Sequence, residues 1–155
     1  MVEATRAEVW ALVTDINVPA RFSGEFLGAE WADAEASDSG PRLGARFVGR
    51  NQHVSRGEWE TTSWVNRYEP LREFGWAVSD PDHPSATWWF ELAGSDGAVR
   101  LRHSARMGPA PSGVTSAIEA MPDKEERIVA RRLEEWERNM RATLEGIKKQ
   151  AETGA

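Results

Sequence analysis

The chain has 155 residues, 19 of them basic and 25 acidic, with a formal net charge of −6. That length suits one domain over residues 1–155 with a real core, and an acidic balance argues against a nucleic-acid partner. The absence of cysteine excludes disulfides, thiolate chemistry and Cys-based zinc sites. No apolar run approaches the ~18 residues of a membrane span, so a cytoplasmic protein without stable membrane insertion is expected.

Near the start, Thr5-Arg6-Ala7-Glu8 has the Thr-x-x-Glu form of a capping box, and Val9, Trp10, Leu12, Val13 and Ile16 follow at helical spacing. A helix is predicted over Arg6 to Thr14, then a turn, with Pro19 placed to open a second short helix. From Glu25 to Met107 the apolar period changes to two. The predicted strands are Phe26–Trp31, Ala45–His53, Gly57–Tyr68, Glu73–Ser79, Ala86–Ala93 and Val99–Met107. Turn residues separate them, among them Ser37-Asp38-Ser39-Gly40-Pro41 and Asp80-Pro81-Asp82-His83-Pro84. Short connections between successive strands imply an antiparallel meander.

Beyond the Gly108–Gly113 loop, a short helical stretch is expected over Val114 to Ala120. Pro122 and Asp123 then open a long helix, with Asp123-x-x-Glu126 as a second capping box. Its stripe of Ile128, Val129, Leu133, Trp136, Met140, Leu144 and Ile147 marks one face of about seven turns, and Gly146 weakens the last. A sheet with one apolar face must be covered, and this helix is long enough to do so. The fold class is α+β.

These residues resemble a known superfamily. Val9-Trp10-Ala11-Leu12-Val13-Thr14-Asp15, Trp31, Gly44-Ala45-Arg46-Phe47, Glu58-Trp59-Glu60-Thr61, Phe74-Gly75-Trp76, Trp88-x-Phe90-Glu91-Leu92 and Arg132-Leu133 with Asn139-Met140 are similar to START/Bet v 1-like (SRPBCC) proteins. The bacterial polyketide cyclase/dehydrase-like branch is the nearest match, and the resemblance spans essentially the whole chain. It implies a helix-grip fold, a curved antiparallel sheet wrapped around the C-terminal helix with a cavity between them. Family members bind lipids, polyketides or sterols there, and a few are cyclases or dehydratases. One departure concerns the first strand, which has only Met1-Val2-Glu3-Ala4 available. Either that strand is stunted or the recorded start lies downstream of the true one, and the second is the expectation.

Period-two alternation assigns the faces, and the resemblance places the cavity on the inner one. Arg100, Arg102 and Arg106 label the outer face of their strand, which turns Leu101 and His103 inward. Glu58 and Glu60 do the same for Trp59, Thr61 and Ser63. Phe47, Gly49, Asn51 and His53 read as inward, as do Phe74, Trp76, Trp88 and Phe90, whereas Trp64 and Trp89 read as outward and as cross-strand partners. His103 is either a hydrogen-bonded core residue or the group that moves protons in catalysis. Asn51 needs a partner, from the protein or from a ligand. Arg132, at steps of four from Ile128 and Trp136, either snorkels to solvent or holds an anionic group of a ligand at the cavity mouth. Trp136 and Met140 complete the expected lining; Glu25 is expected to be structural, with a place at the cavity entrance as the alternative.

No nucleophile elbow, phosphate-binding glycine loop or dinucleotide fingerprint is present, and His53, His83 and His103 lack metal-ligand spacing. No metal and no cofactor are expected. The leading expectation is a monomeric or homodimeric protein that binds or transports a hydrophobic, ring-containing small molecule. The alternative is a polyketide cyclase, aromatase or dehydratase working by proton transfer in the same cavity. A regulatory module that meets protein partners through outer-face tryptophans is the third reading.

Overall fold

The capping box forms as its spacing predicts: Glu8 N donates to Thr5 Oγ1 (3.1 Å) and Thr5 N donates to Glu8 Oε2 (2.8 Å). It opens α1 (Arg6–Val13) in the computed structural model of the chain, which describes residues 1–154. There follow α2 (Val18–Phe22), β1 (Phe26–Trp31), α3 (Ala34–Ser39), β2 (Arg46–His53), β3 (Gly57–Glu69), β4 (Glu73–Val78), β5 (Ala86–Ser95), β6 (Ala98–Met107), α4 (Thr115–Ala120) and α5 (Glu125–Thr153). The six strands pair antiparallel in chain order, β1 to β6, as a meander requires. The curved sheet and the 29-residue α5 make a helix-grip α+β fold.

Several local expectations are corrected. The Ser37–Pro41 turn signal instead ends a helix, α3, whose final amide contact is Gly40 N to Ala36 O (3.0 Å) at φ 88°. At Asp123 no capping box forms. Pro122–Lys124 is a 3₁₀ turn, and α5 starts at Glu125 without a side-chain cap. Residues ahead of α1 form a single bridge with the free edge of β6, in which Val2 N donates to Val99 O (2.7 Å) and Val99 N to Val2 O (3.0 Å).

Gly146 carries the helix through rather than weakening its end. A Cβ there would meet the Phe22 ring at 2.4 Å, so the glycine lets α2 pack directly onto α5. Arg6 fixes α1 to the sheet's turns, its guanidinium donating to Gly94 O (2.7 Å) and Leu71 O (2.8 Å).

The inner face holds two unlike halves. At one end Val65, Phe74, Phe90, Leu92 and Val99 pack against Val9, Val13, Val18 and Ile147, all buried. At the other, Val78, Ala86 and Trp136 are buried, but the neighbouring Trp76, Trp88, Ala105, Met107 and Met140 remain partly open. Leu133, expected on the covered stripe, is 42% exposed, and Thr143, not expected there, is buried.

A bulge on β3 resets its faces. Val65 pairs with Trp76, yet the next pairs are Arg67 with Gly75 and Tyr68 with Phe74. Tyr68 therefore turns inward onto Trp10 (5.9 Å between rings) and Arg67 turns outward. There it lies over the Trp89 ring at 4.2 Å. Gly75, between them on β4, makes room: a Cβ would meet the Trp89 Cβ at 2.6 Å. The expected Trp64–Trp89 pair does not form, because Trp64 stands opposite Arg46 and Ala77 and Trp89 opposite Gly75 and Ser104.

Candidate functional site: an aromatic interior and its charged mouth

The inward tryptophan of the Trp88-Trp89 doublet meets the helix. Trp88 and Trp136 lie 4.5 Å apart between ring centroids and are tilted by 46°. His103 is 6.0 Å from Trp88 and stacks flat on Phe90 at 3.9 Å and 5°. Further rings continue the wall: Phe90 to Trp76 at 6.3 Å, Trp76 to Phe47 at 5.8 Å. Two polar groups in this wall are incompletely used. Trp136 Nε1 is buried with no hydrogen-bond partner among the described residues, a condition that costs about 1–3 kcal/mol. His103 Nδ1 donates to Trp89 O (3.1 Å), leaving an acceptor lone pair on Nε2. Burial pushes His103 down to about 4, against the opposing effect of its bond to Trp89, so the ring is neutral near pH 7.

At the end of this interior an ion network joins three parts of the chain. Arg132 of α5 holds Glu25, in the turn before β1, through two bonds: Nη1 to Oε1 (2.5 Å) and Nη2 to Oε2 (2.8 Å). Arg132 Nη1 also reaches Glu135 Oε2 (3.3 Å), and that oxygen meets His53 Nε2 at 2.5 Å. The Ser55 amide donates to His53 Nδ1 (3.1 Å), which places the ring proton on Nε2, facing Glu135. All four side chains are 18–22% exposed. Burial would lower the Arg132 pKa, but the bonds and charge of Glu25, with help from Glu135, hold it above its ordinary value. Burial would likewise raise Glu135, and the bond to His53, then the charge of Arg132, hold it below the usual carboxylate range. Outside this network lies an open cleft of about 460 Å³, whose walls include Glu25, Gln52, His53, Glu135, Arg138 and Asn139.

One oxygen each of Glu25 and Glu135 and a nitrogen of His53 lie within 4.8 Å of one another, close enough for one cation. The donor set is already satisfied from within. Arg132 supplies the charge, and His53 presents a proton rather than a lone pair, so the residues as arranged do not fit a metal.

The sequence-derived lining divides between these regions. Trp88, His103, Trp136 and Met140 gather in the partly open half, with Trp76 and Phe90 joining it to the core. Phe47 is only 4% exposed, between Trp31 and Trp76, and belongs to the packed core, against which Leu101 also packs. Asn51 and Thr61 share a long contact, Nδ2 to Oγ1 at 3.4 Å, and Trp59 carries the Arg56 guanidinium 4.3 Å above its ring. Arg132 neither snorkels nor stands free; its fork is filled by Glu25. Glu25, read from the sequence as structural with a place at the cavity entrance as the alternative, is the partner of Arg132; Glu135, not singled out in the sequence, is the residue that sequence reasoning missed. Only the i,i+3 spacing of Arg132 and Glu135 hinted at part of the network.

Among solved structures, the polyketide-cyclase-like protein of Corynebacterium glutamicum is 30% identical, with 95% of this chain aligned to 84% of that one and a TM-score of 0.61. Two di-domain aromatase/cyclases share the fold. BexL, of the BE-7585A biosynthetic pathway, is 13% identical over 98% of this chain with a TM-score of 0.69. StfQ, of the steffimycin pathway, is 16% identical over 99% of it with a TM-score of 0.57. This chain spans 48% of the first and 43% of the second. No family model and no curated protein matches the sequence. With the wall of rings under α5, the six-stranded meander and a 30% identical relative over nearly its full length, the chain belongs to the polyketide-cyclase-like branch of the START/Bet v 1-like superfamily.

Proposed function

We propose that the protein binds an apolar, ring-containing small molecule, lipid-like or polyketide-like, between the sheet and α5. The observation that carries this reading is the buried Trp136 N–H without an acceptor, set against the Trp88 ring. A native interior rarely leaves such a donor unpaired, and a ligand oxygen beside a stacked ring would satisfy it. Partly open rings and methionines around it offer the apolar surface such a ligand needs. Mass spectrometry of material released from the purified protein is the first test. An aromatic or polycyclic molecule at near one-to-one ratio is expected, with saturable quenching of tryptophan fluorescence on adding it back. A protein that carries nothing and is not quenched by any apolar ring compound would defeat the reading.

A second reading, cyclisation or dehydration of a bound polyketide, draws on His103 alone. Its neutral ring and free Nε2 suit a hydrogen-bond acceptor for a substrate hydroxyl, and a pKa of about 4 makes it a weak base at pH 7. Turnover that survives His103→Ala would remove this mechanism.

A further inference from the structure

The interior rings and the mouth network meet at one residue. Arg132 precedes Trp136 by four positions, so both side chains leave the same face of α5 about 6 Å apart along the axis. The Arg132 guanidinium carbon is 5.9 Å from the Trp136 ring centroid. A molecule stacked in the aromatic half would therefore bring its nearest substituent to the guanidinium. That guanidinium is occupied by a side chain with a way out. Glu25 lines the open cleft, a wall that does not include Arg132, so the carboxylate is the partner with open space beside it.

We propose that the ligand is an acid, an apolar ring system bearing a carboxylate, and that this carboxylate takes the two-pronged place on Arg132 now held by Glu25. The inference rests on the binding reading above and adds the charge of the ligand to it. Three features support it. The Arg132–Glu25 contact uses both prongs of the fork, at 2.5 and 2.8 Å, a geometry that any planar carboxylate reproduces. An uncharged ligand entering past Glu25 would leave a partly buried guanidinium with Glu135 alone, and stranding a charge is strongly unfavourable. An incoming carboxylate keeps the guanidinium paired, while Glu25 faces the cleft that Arg138 also lines. The His53–Glu135 contact holds the other side of the guanidinium, so the exchange involves one partner only.

Isothermal titration calorimetry of the full chain with 2-naphthoic acid and with its uncharged analogue 2-naphthamide, at pH 7.5 and low salt, tests this. The acid is expected to bind at least about tenfold tighter, since that preference corresponds to ~1.4 kcal/mol. Glu25→Gln, which loosens the incumbent, should tighten the acid several-fold and leave the amide where it was. Arg132→Gln should erase the difference between the two probes. Equal affinity of acid and amide for the unaltered protein would overturn the inference while the binding reading stands, as would Glu25→Gln changing both probes alike. If neither probe nor unsubstituted naphthalene binds, the binding reading falls and this inference with it. Should Arg132→Gln fail to fold, the Glu25→Gln comparison decides alone.

Discussion

The two halves of the inner face are built from similar residues and finished differently. Where α1, α2 and the C-terminal part of α5 close over the sheet, Val9, Val65, Phe74, Phe90, Val99 and Ile147 are at most 1% exposed. Where Trp136 and Met140 of α5 meet the sheet, Trp76, Trp88, Met107 and Met140 keep part of their surface open, and Trp136 buries a donor without a partner among the described residues. One half is closed core, and the other is the half in which the proposed ligand would lie.

The division can be broken most directly by truncation. Phe74→Ala should cost about 3–5 kcal/mol, and the matched Met140→Ala about 1, because a partly open site loses less on shortening. Urea denaturation of both variants reads the contrast; equal losses would abolish it.

Acid sharpens the comparison through His103. Unfolded, this histidine takes a proton near its ordinary 6.5, but folded only near 4. The folded state binds fewer protons in that window, so its full contribution holds above pH 6.5 and drains away as pH falls toward 4, by roughly 2–3 kcal/mol. Stability measured from pH 7.5 to 4.5 should fall more steeply for the parent than for His103→Gln; parallel curves would show that the site is as wet as bulk water.

Gly146 tests the closed half from the helix side. Alanine there gains about 1 kcal/mol of helix propensity, yet its Cβ would run into Phe22. A net loss of about 1–2 kcal/mol is expected for Gly146→Ala, and combining it with Phe22→Ala should restore the gain from propensity. The smallest effect belongs to Trp136→Phe. Lost ring contact and a removed orphan donor offset each other, leaving thermal stability within about 1 kcal/mol of the parent, while affinity for a ring-containing ligand falls. A large loss of stability would mean that the indole N–H has a partner after all.

Much of this was legible beforehand. The strand order, α1 with its cap and the inward set Trp76, Trp88, Phe90 and His103 follow from a period of two labelled by charges on the outer face. The charged mouth was not, because its members are 107 residues apart for Glu25 and Arg132 and 82 for His53 and Glu135. No local pattern encodes contacts made only when the ends of three elements converge. The bulge after Val65 was also invisible, since alternation read along a strand assumes that no residue is skipped. Arg67 thereby escaped notice as the partner of Trp89. Gly146 was misread for a related reason: propensity scores the helix alone, and the cause of that glycine sits on α2.

The Trp88–Trp136 contact also has an optical consequence. Two indoles with centroids 4.5 Å apart and planes crossing at 46° do not absorb independently, since their transition dipoles couple at that range and orientation and split the signal into a circular-dichroism couplet. The coupling is chiral and steeply distance-dependent, so a guest that parts the two rings would collapse it. The molecule thus carries its own gauge of whether the interior is shut, readable without a label or a known ligand.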